Sequence, residues 1–290
     1  MIPFLHIGSF AIPTFGLMVA TALLVAAYVL QADFDRHRAQ FVKSGYLKEG
    51  KEPSHHDEGF LIIGVAGLAG IVGARLYHVL ETPRELMADP SMLISRVGFA
   101  WFGGFLGGFV ALAFLARNFK IPTLTFMDLA SPAAAVGYAI GRIGCLLSGD
   151  GDYGVPTTLP WGMSFPNGVV PTIERVHPTP IYESLIWLVI ALILWRIGKG
   201  RMGSVRPAGE VFRGYLIFTG VARFLIEFIR VNPRLVIQEG QFHWIPYEAY
   251  SRLASHPIIS FSNAQTASLV SIVIGIVLML RIRSAPQKAN

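Results

Sequence analysis

Seven stretches of this chain are apolar enough, and close enough to the 17–25 residues needed to cross hydrocarbon, to be read as membrane-spanning helices. They cover about residues 10–31, 60–80, 99–116, 124–147, 180–197, 211–230 and 265–282. The fifth and sixth are short. Polar positions collect between the runs: a charged segment at 33–58, and two long segments, 148–179 and 231–264, rich in Pro, Gly and aromatic residues. This pattern predicts an all-α polytopic membrane protein with about seven transmembrane helices. Residues 1–290 form a single transmembrane domain, and the two long segments form a cap on one face.

Composition supports that class. Of 290 residues, 53% are hydrophobic and 14% charged, against about 25% charged in soluble domains. The formal net charge of +6 is not a nucleic-acid signal, because the basic residues are arranged by topology. Fourteen of the 24 Lys and Arg residues fall on one side of the predicted spans, in the groups Arg36–Lys51, Arg117–Lys120, Arg196–Arg206 and Arg281–Lys288. Arg84, Arg96, Arg175, Arg234 and Arg252 fall on the other. The positive-inside rule puts the richer side, including 33–58, in the cytoplasm. The N-terminus and the 148–179 and 231–264 segments are then outside, and the C-terminus is cytoplasmic. No basic region precedes the first apolar run, so a cleavable leader is not expected. A single cysteine, Cys145, excludes an intrachain disulfide and a Cys-rich metal site. His55-His56 lacks a third ligand at suitable spacing, so no metal is expected. No cofactor is implied.

The candidate chemistry lies inside the spans. Gly137, Gly141 and Gly144 recur on one helix face, and Arg142 sits among them before a loop carrying Asp150 and Asp152. Arg142 is open to two readings at this point: a packing helix whose arginine snorkels, or an anion site. Arg223 and Glu227, four apart, share a helix face and can pair. Arg75 and Arg142 fall at matching depth, so three arginines face one glutamate, and the excess positive charge calls for an anion such as a phospholipid phosphate. Asp128 reads as a helix cap or interfacial anchor. His177, in His177-Pro-Thr-Pro-Ile-Tyr-Glu183, is either a proton carrier or part of a proline-set helix entry. Gly103, Gly104, Gly107 and Gly108 read as ridges for close helix packing.

Together these pieces resemble the prolipoprotein diacylglyceryl transferase family over nearly the whole chain. The resemblance rests on Ile7–Met18, Gly73-Ala-Arg-Leu-Tyr77, Gly103–Gly108, Gly141-Arg-Ile-Gly144, His177–Glu183 and Gly220–Arg230. It implies transfer of diacylglyceryl from phosphatidylglycerol to the lipobox cysteine thiol of a preprolipoprotein, with release of glycerol phosphate, in the bacterial inner membrane. By motif match it further implies that Arg142 and Arg223 hold the head group, with Glu227 beside Arg223. With those three as catalytic residues, His177 is the expected proton acceptor among His177, Asp150 and Asp152, and Arg142, Arg223, Arg75, Asp150 and Gly154 are expected to contact substrate. Partners would be phosphatidylglycerol, the lipobox segment and membrane lipid, with no nucleic acid. Three positions depart from the family pattern: Phe15 replaces a usual Tyr, Phe102 a usual His, and Cys145 a usual Asn. The arginines are kept while the usual candidate base is not. Two alternatives follow: a phospholipid-dependent transferase with another acceptor, or a non-catalytic lipid-binding or assembly protein.

Overall fold

The computed structural model describes residues 1–43, 45, 57–81, 101–199, 208–232, 234–238, 241–245 and 261–284. His55 and His56, much of the 33–58 segment and most of 231–264 lie outside these. A short hairpin, β1 (Phe4–Ile7) and β2 (Phe10–Pro13), opens the chain. Seven helices follow among the described residues: α1 (Thr14–Lys43), α2 (Glu58–Glu81), α3 (Trp101–Asn118), α4 (Thr123–Ser148), α5 (Thr179–Lys199), α6 (Glu210–Ile226) and α7 (Asn263–Ser284). Between α4 and α5 lies the antiparallel pair β3 (Met163–Phe165) and β4 (Thr172–Val176). Between α6 and α7 lies the pair β5 (Arg234–Gln238) and β6 (Gln241–Ile245).

The seven helices coincide with the seven apolar runs, and five are long and apolar enough to cross a membrane. The chain is a multi-pass, all-α membrane protein. Both ends of α1 differ from the sequence reading. α1 begins at Thr14 rather than near residue 10, because 4–13 pair as a hairpin whose Phe4 and Phe10 are as apolar as any span residue. α1 also continues to Lys43, past the end of its apolar run. There Asp33 pairs with Arg36 at 3.3 Å and Arg38 with Asp35 at 3.2 Å, contacts that helical i,i+3 spacing supplies.

The chain divides into two compact units, Leu23–Ala133 and Met1–Ala22 with Ala134–Asn290. In the Leu23–Ala133 unit, Leu30, Phe34, Ile62, Ala116, Phe126 and Ala133 form a buried core. α2 and α3 meet backbone to backbone. A Cβ added at Gly73 would overlap the Gly103 carbonyl oxygen, and one at Gly107 the Ala69 carbonyl oxygen. The packing reading of the Gly103–Gly108 ridge therefore holds, since only glycine allows this approach. The outward residues Leu68, Leu76, Leu106, Val110 and Phe114 are more than half exposed, as suits helices facing lipid.

In the other unit, Ala135, Ala139, Trp187, Ile190, Leu194 and Val211 join α4, α5 and α6. α6 and α7 pack closely, with Ser271 Oγ donating to the Leu216 carbonyl at 3.0 Å. Of the glycines expected to bring another backbone near α4, Gly144 meets Phe15 and Met18 of α1, whereas Gly141 faces open space.

A candidate ion-pair site

The C-terminal end of α4, the first turns of α5 and the C-terminal end of α6 converge, and each brings charge. α4 contributes Arg142, 7% exposed, and Tyr138 one turn earlier. α5 contributes Glu183, 1% exposed. α6 contributes Arg223, then ends in a 3-10 turn, Glu227–Ile229, which carries Glu227 at 0% exposed and delivers Arg230.

Glu183 is the hub. Its carboxylate receives Arg142 side-on, Nε at 2.9 Å from Oε2 and Nη2 at 3.3 Å from Oε1. Arg223 Nη1 donates to Oε1 at 3.2 Å and Arg230 Nη1 to the same oxygen at 2.9 Å. The Tyr138 hydroxyl donates to Oε2 at 2.5 Å, while the Tyr138 ring stacks on Trp187 with centroids 3.9 Å apart. A second carboxylate, Asp152, bridges Arg142 and Arg230. A third, Glu227, takes Arg223 Nη2 at 3.1 Å and Asn232 Nδ2 at 2.6 Å. The Arg223–Glu227 pair expected from the four-residue spacing is thus formed.

Charge counting corrects one expectation. The sequence reading set three arginines against one glutamate. Here the three guanidiniums of Arg142, Arg223 and Arg230 meet the three carboxylates of Asp152, Glu183 and Glu227. An external anion is therefore not required to neutralise the cluster. Arg223 is the most open of the three, its side chain 24% exposed against 8% for Arg142 and 6% for Arg230. Arg75 and Asp128 are buried in the other unit.

The loop after α4 is set by its backbone. Gly149 and Gly151 adopt left-handed φ of +59° and +90°, a region that favours glycine. Val169 N–H donates to the Ser148 carbonyl at 2.9 Å and Val170 N–H to that of Gly149 at 2.8 Å. Thr179 Oγ1 donates to the Asp152 carbonyl at 2.5 Å. Gly154 forms a bridge with Arg230, and its N–H donates to the His177 carbonyl at 2.8 Å. A Cβ at Gly154 would press on His177 Cβ at 2.9 Å and overlap the Ile229 carbonyl oxygen. Gly154 thus lets the loop dock beside the residue that carries Arg230.

The two loop acids are pushed apart in acidity. Burial alone would raise Asp152, but the guanidiniums of Arg230 and Arg142 outweigh it and hold the carboxyl well below the usual carboxylate range. For Asp150, burial first and the Asp152 charge second push the carboxyl up. Asp150 Oδ1 accepts the Asp152 N–H at 3.2 Å. The Cys145 thiol and both carboxylates lie within 4.8 Å of one another, and Arg142 Nη1 donates to Cys145 Sγ at 3.2 Å. His177 turns its Nδ1 to the Tyr182 hydroxyl at 3.3 Å, and that hydroxyl accepts from Trp161 Nε1 at 2.8 Å. Phe102 lies in α3, with its side chain outside the described residues.

Glu183 and Arg230 were not singled out from sequence, although each had a signal. Glu183 is an acid five positions into a membrane helix, which is costly without a cation. Arg230 follows Glu227 by three residues, within reach of the same carboxylate.

Fold and site together define a multi-pass membrane protein with a charge-balanced arginine–carboxylate cluster at the ends of three helices. Residues 3–281 match the model of the prolipoprotein diacylglyceryl transferase family, and the chain belongs to that family. It is 33% identical over 234 residues to the phosphatidylglycerol–prolipoprotein diacylglyceryl transferase of Polynucleobacter necessarius, covering 78% of this chain and 81% of that one. It is 31% identical over 223 residues to the enzyme of the same name from Clostridium tetani, covering 76% and 81%. The Cereibacter sphaeroides enzyme of that name aligns over 97% of this chain and 98% of its own length at 29% identity.

Proposed function

We propose that this protein is an enzyme that transfers the diacylglyceryl group of phosphatidylglycerol to the cysteine thiol of a preprolipoprotein lipobox, releasing glycerol phosphate. The observation that carries this reading is the cluster around Glu183 in a chain that matches the family from residue 3 to 281. Arg142 and Arg223 hold the head-group phosphate, Arg223 offering the most open guanidinium. Guanidinium forks match phosphate oxygens in plane and number. They also stabilise the charge that gathers on the phosphate as its carbon–oxygen bond breaks. Glu183 and Glu227 fix the directions of the forks. Gly154 keeps the loop close to Arg230. Asp150 and His177 are the groups available to take the thiol proton.

The protein sits in the bacterial inner membrane with its N-terminus outside and its C-terminus in the cytoplasm, as the basic-residue asymmetry supports. The 148–179 segment then meets the lipobox on the outer face. An impermeant thiol reagent added to intact cells should fail to label a cysteine placed at Gly45, with Cys145 replaced; labelling would reverse the orientation.

The test of function is direct. Purified protein, phosphatidylglycerol and a lipobox peptide should yield glycerol phosphate and a peptide heavier by one diacylglyceryl group. Glycerol phosphate without a modified peptide would indicate a different acceptor. Lipid binding with no glycerol phosphate would indicate a binding protein.

A further inference from the structure

A thiol gives up its proton as it becomes a thioether, so the transfer needs a proton acceptor beside the incoming sulfur. Building on the transferase reading above, we infer that Asp150 is the general base that takes the proton of the incoming lipobox thiol. Its loop partner Asp152 serves instead as the fixed counter-ion of the arginines.

The assignment rests first on geometry. Asp152 is committed: it bridges Arg142 and Arg230, and its backbone carbonyl is held by Thr179 Oγ1. Taking up a proton there would break two ion pairs. Asp150 stands two residues earlier on the same loop and accepts the backbone N–H of Asp152. That places its carboxylate at the edge of the guanidinium cluster without joining the bridge. The groups facing it are Arg142 and Cys145 of α4 and Asp152 of its own loop. The resident Cys145 shows that the place suits a sulfur. Its sulfur lies within 4.8 Å of the Asp150 carboxylate and accepts from Arg142 Nη1 at 3.2 Å. A carboxylate on the proton side and a guanidinium on the sulfur side are what a thiol needs to become a nucleophile.

The acidities of the pair agree with this division. Asp152 is held low by its arginines, and Asp150 is pushed up by burial and by the neighbouring charge. When two carboxyls are driven apart in this way, the higher one suits proton transfer and the lower one electrostatic stabilisation. The loop geometry keeps the two roles separate, because Gly149 and Gly151 and the bonds from Val169 and Val170 fix where each acid points.

The step balances. The thiol sulfur forms a bond to the terminal glyceryl carbon while that carbon's bond to the phosphate oxygen breaks, and the electron pair of the broken bond leaves on the phosphate. The thiol proton passes to Asp150 Oδ and from there to the departing glycerol phosphate. Thioether and glycerol phosphate are the products, and no oxidant or further reactant is consumed.

The test compares two acceptors. A lipobox peptide carrying cysteine needs a base near neutral pH, whereas the same peptide carrying selenocysteine is already ionised. Asp150→Asn should lower turnover of the cysteine peptide by about 10²–10⁴-fold while phosphatidylglycerol binding and selenocysteine turnover stay close to the parent's. In the parent, kcat/KM with cysteine should fall as pH drops through the Asp150 pKa. That limb should be missing for the selenocysteine peptide, and Asp150→Glu should restore part of the cysteine rate. Parent-like cysteine turnover by Asp150→Asn would overturn the assignment. So would equal loss with both acceptors, which would mark Asp150 as structural. If the parent modifies neither peptide, the transferase reading fails and this inference fails with it.

Discussion

The two units of this protein hold membrane helices together by opposite means. In the Leu23–Ala133 unit, α2 and α3 meet through Gly73, Gly103 and Gly107, where removal of side chains lets carbonyl and Cα atoms touch. Attraction there is dispersion, small per atom and large in sum. Where α4, α5 and α6 meet, three guanidiniums and three carboxylates interlock around Glu183. That arrangement is expensive to desolvate and stable only when complete. The first junction tolerates polar change and resists added bulk. The second tolerates little change in charge and is the one able to do chemistry.

The largest expected effect breaks the second junction at its hub. Glu183→Gln keeps the side-chain shape but leaves three guanidiniums facing two carboxylates, and breaking a buried pair in this way costs about 3–5 kcal/mol. Thermal unfolding in detergent should show the loss together with abolished turnover. Parent-like melting would mean that Glu183 is not the keystone.

Next come Arg142→Lys and Arg223→Lys. Each keeps the charge and removes the planar fork, and a charge-assisted hydrogen bond contributes about 1.5–3 kcal/mol, on the order of ten- to a hundred-fold in rate. Turnover and phosphatidylglycerol affinity should fall further than melting temperature does. If both lysine variants bind and turn over like the parent, the arginines serve architecture alone.

At the glycine junction, Gly107→Leu should destabilise by about 1–3 kcal/mol through overpacking, with turnover per folded molecule retained. A selective loss of turnover would show that this junction also serves the chemistry. The smallest effect belongs to His177→Gln. With Asp150 as acceptor, turnover should drop by less than about tenfold, against the 10²–10⁴ typical of a lost general base. A drop in that larger range would move the proton to His177.

The apolar runs made all seven helices legible because span length is a property of sequence alone. Helix ends were less legible. Phe4, Phe10 and Ile12 are apolar yet paired as strands, and the charged turn from Asp33 to Arg38 is polar yet helical. Hydropathy does not distinguish a hairpin from a first turn, and a polar helix end resembles a loop. Within the site, Arg223 and Glu227 were legible because i,i+4 spacing is local. Glu183 was not, since its partners Arg142, Arg223 and Arg230 stand 40–47 residues away along the chain. Pairing over such distances is set by which helix ends meet, and one sequence carries no direct record of that.

The interlocked charges also constrain how the chain can be made. Through the end of α5 the nascent protein has delivered Arg142, Asp152 and Glu183 to the cluster, one negative charge in excess. α6 then brings Arg223, Glu227 and Arg230, one positive charge in excess. Each half carries the residual charge that the other lacks. Until α6 enters the membrane, the α4–α5 hairpin holds an uncompensated carboxylate that favours staying near water. Arrival of α6 supplies the Arg223 and Arg230 guanidiniums that pair with Asp152 and Glu183. A chain ending before Arg223 would leave Asp152 and Glu183 sharing the single guanidinium of Arg142, so the order of synthesis and the balance of charge are tied together.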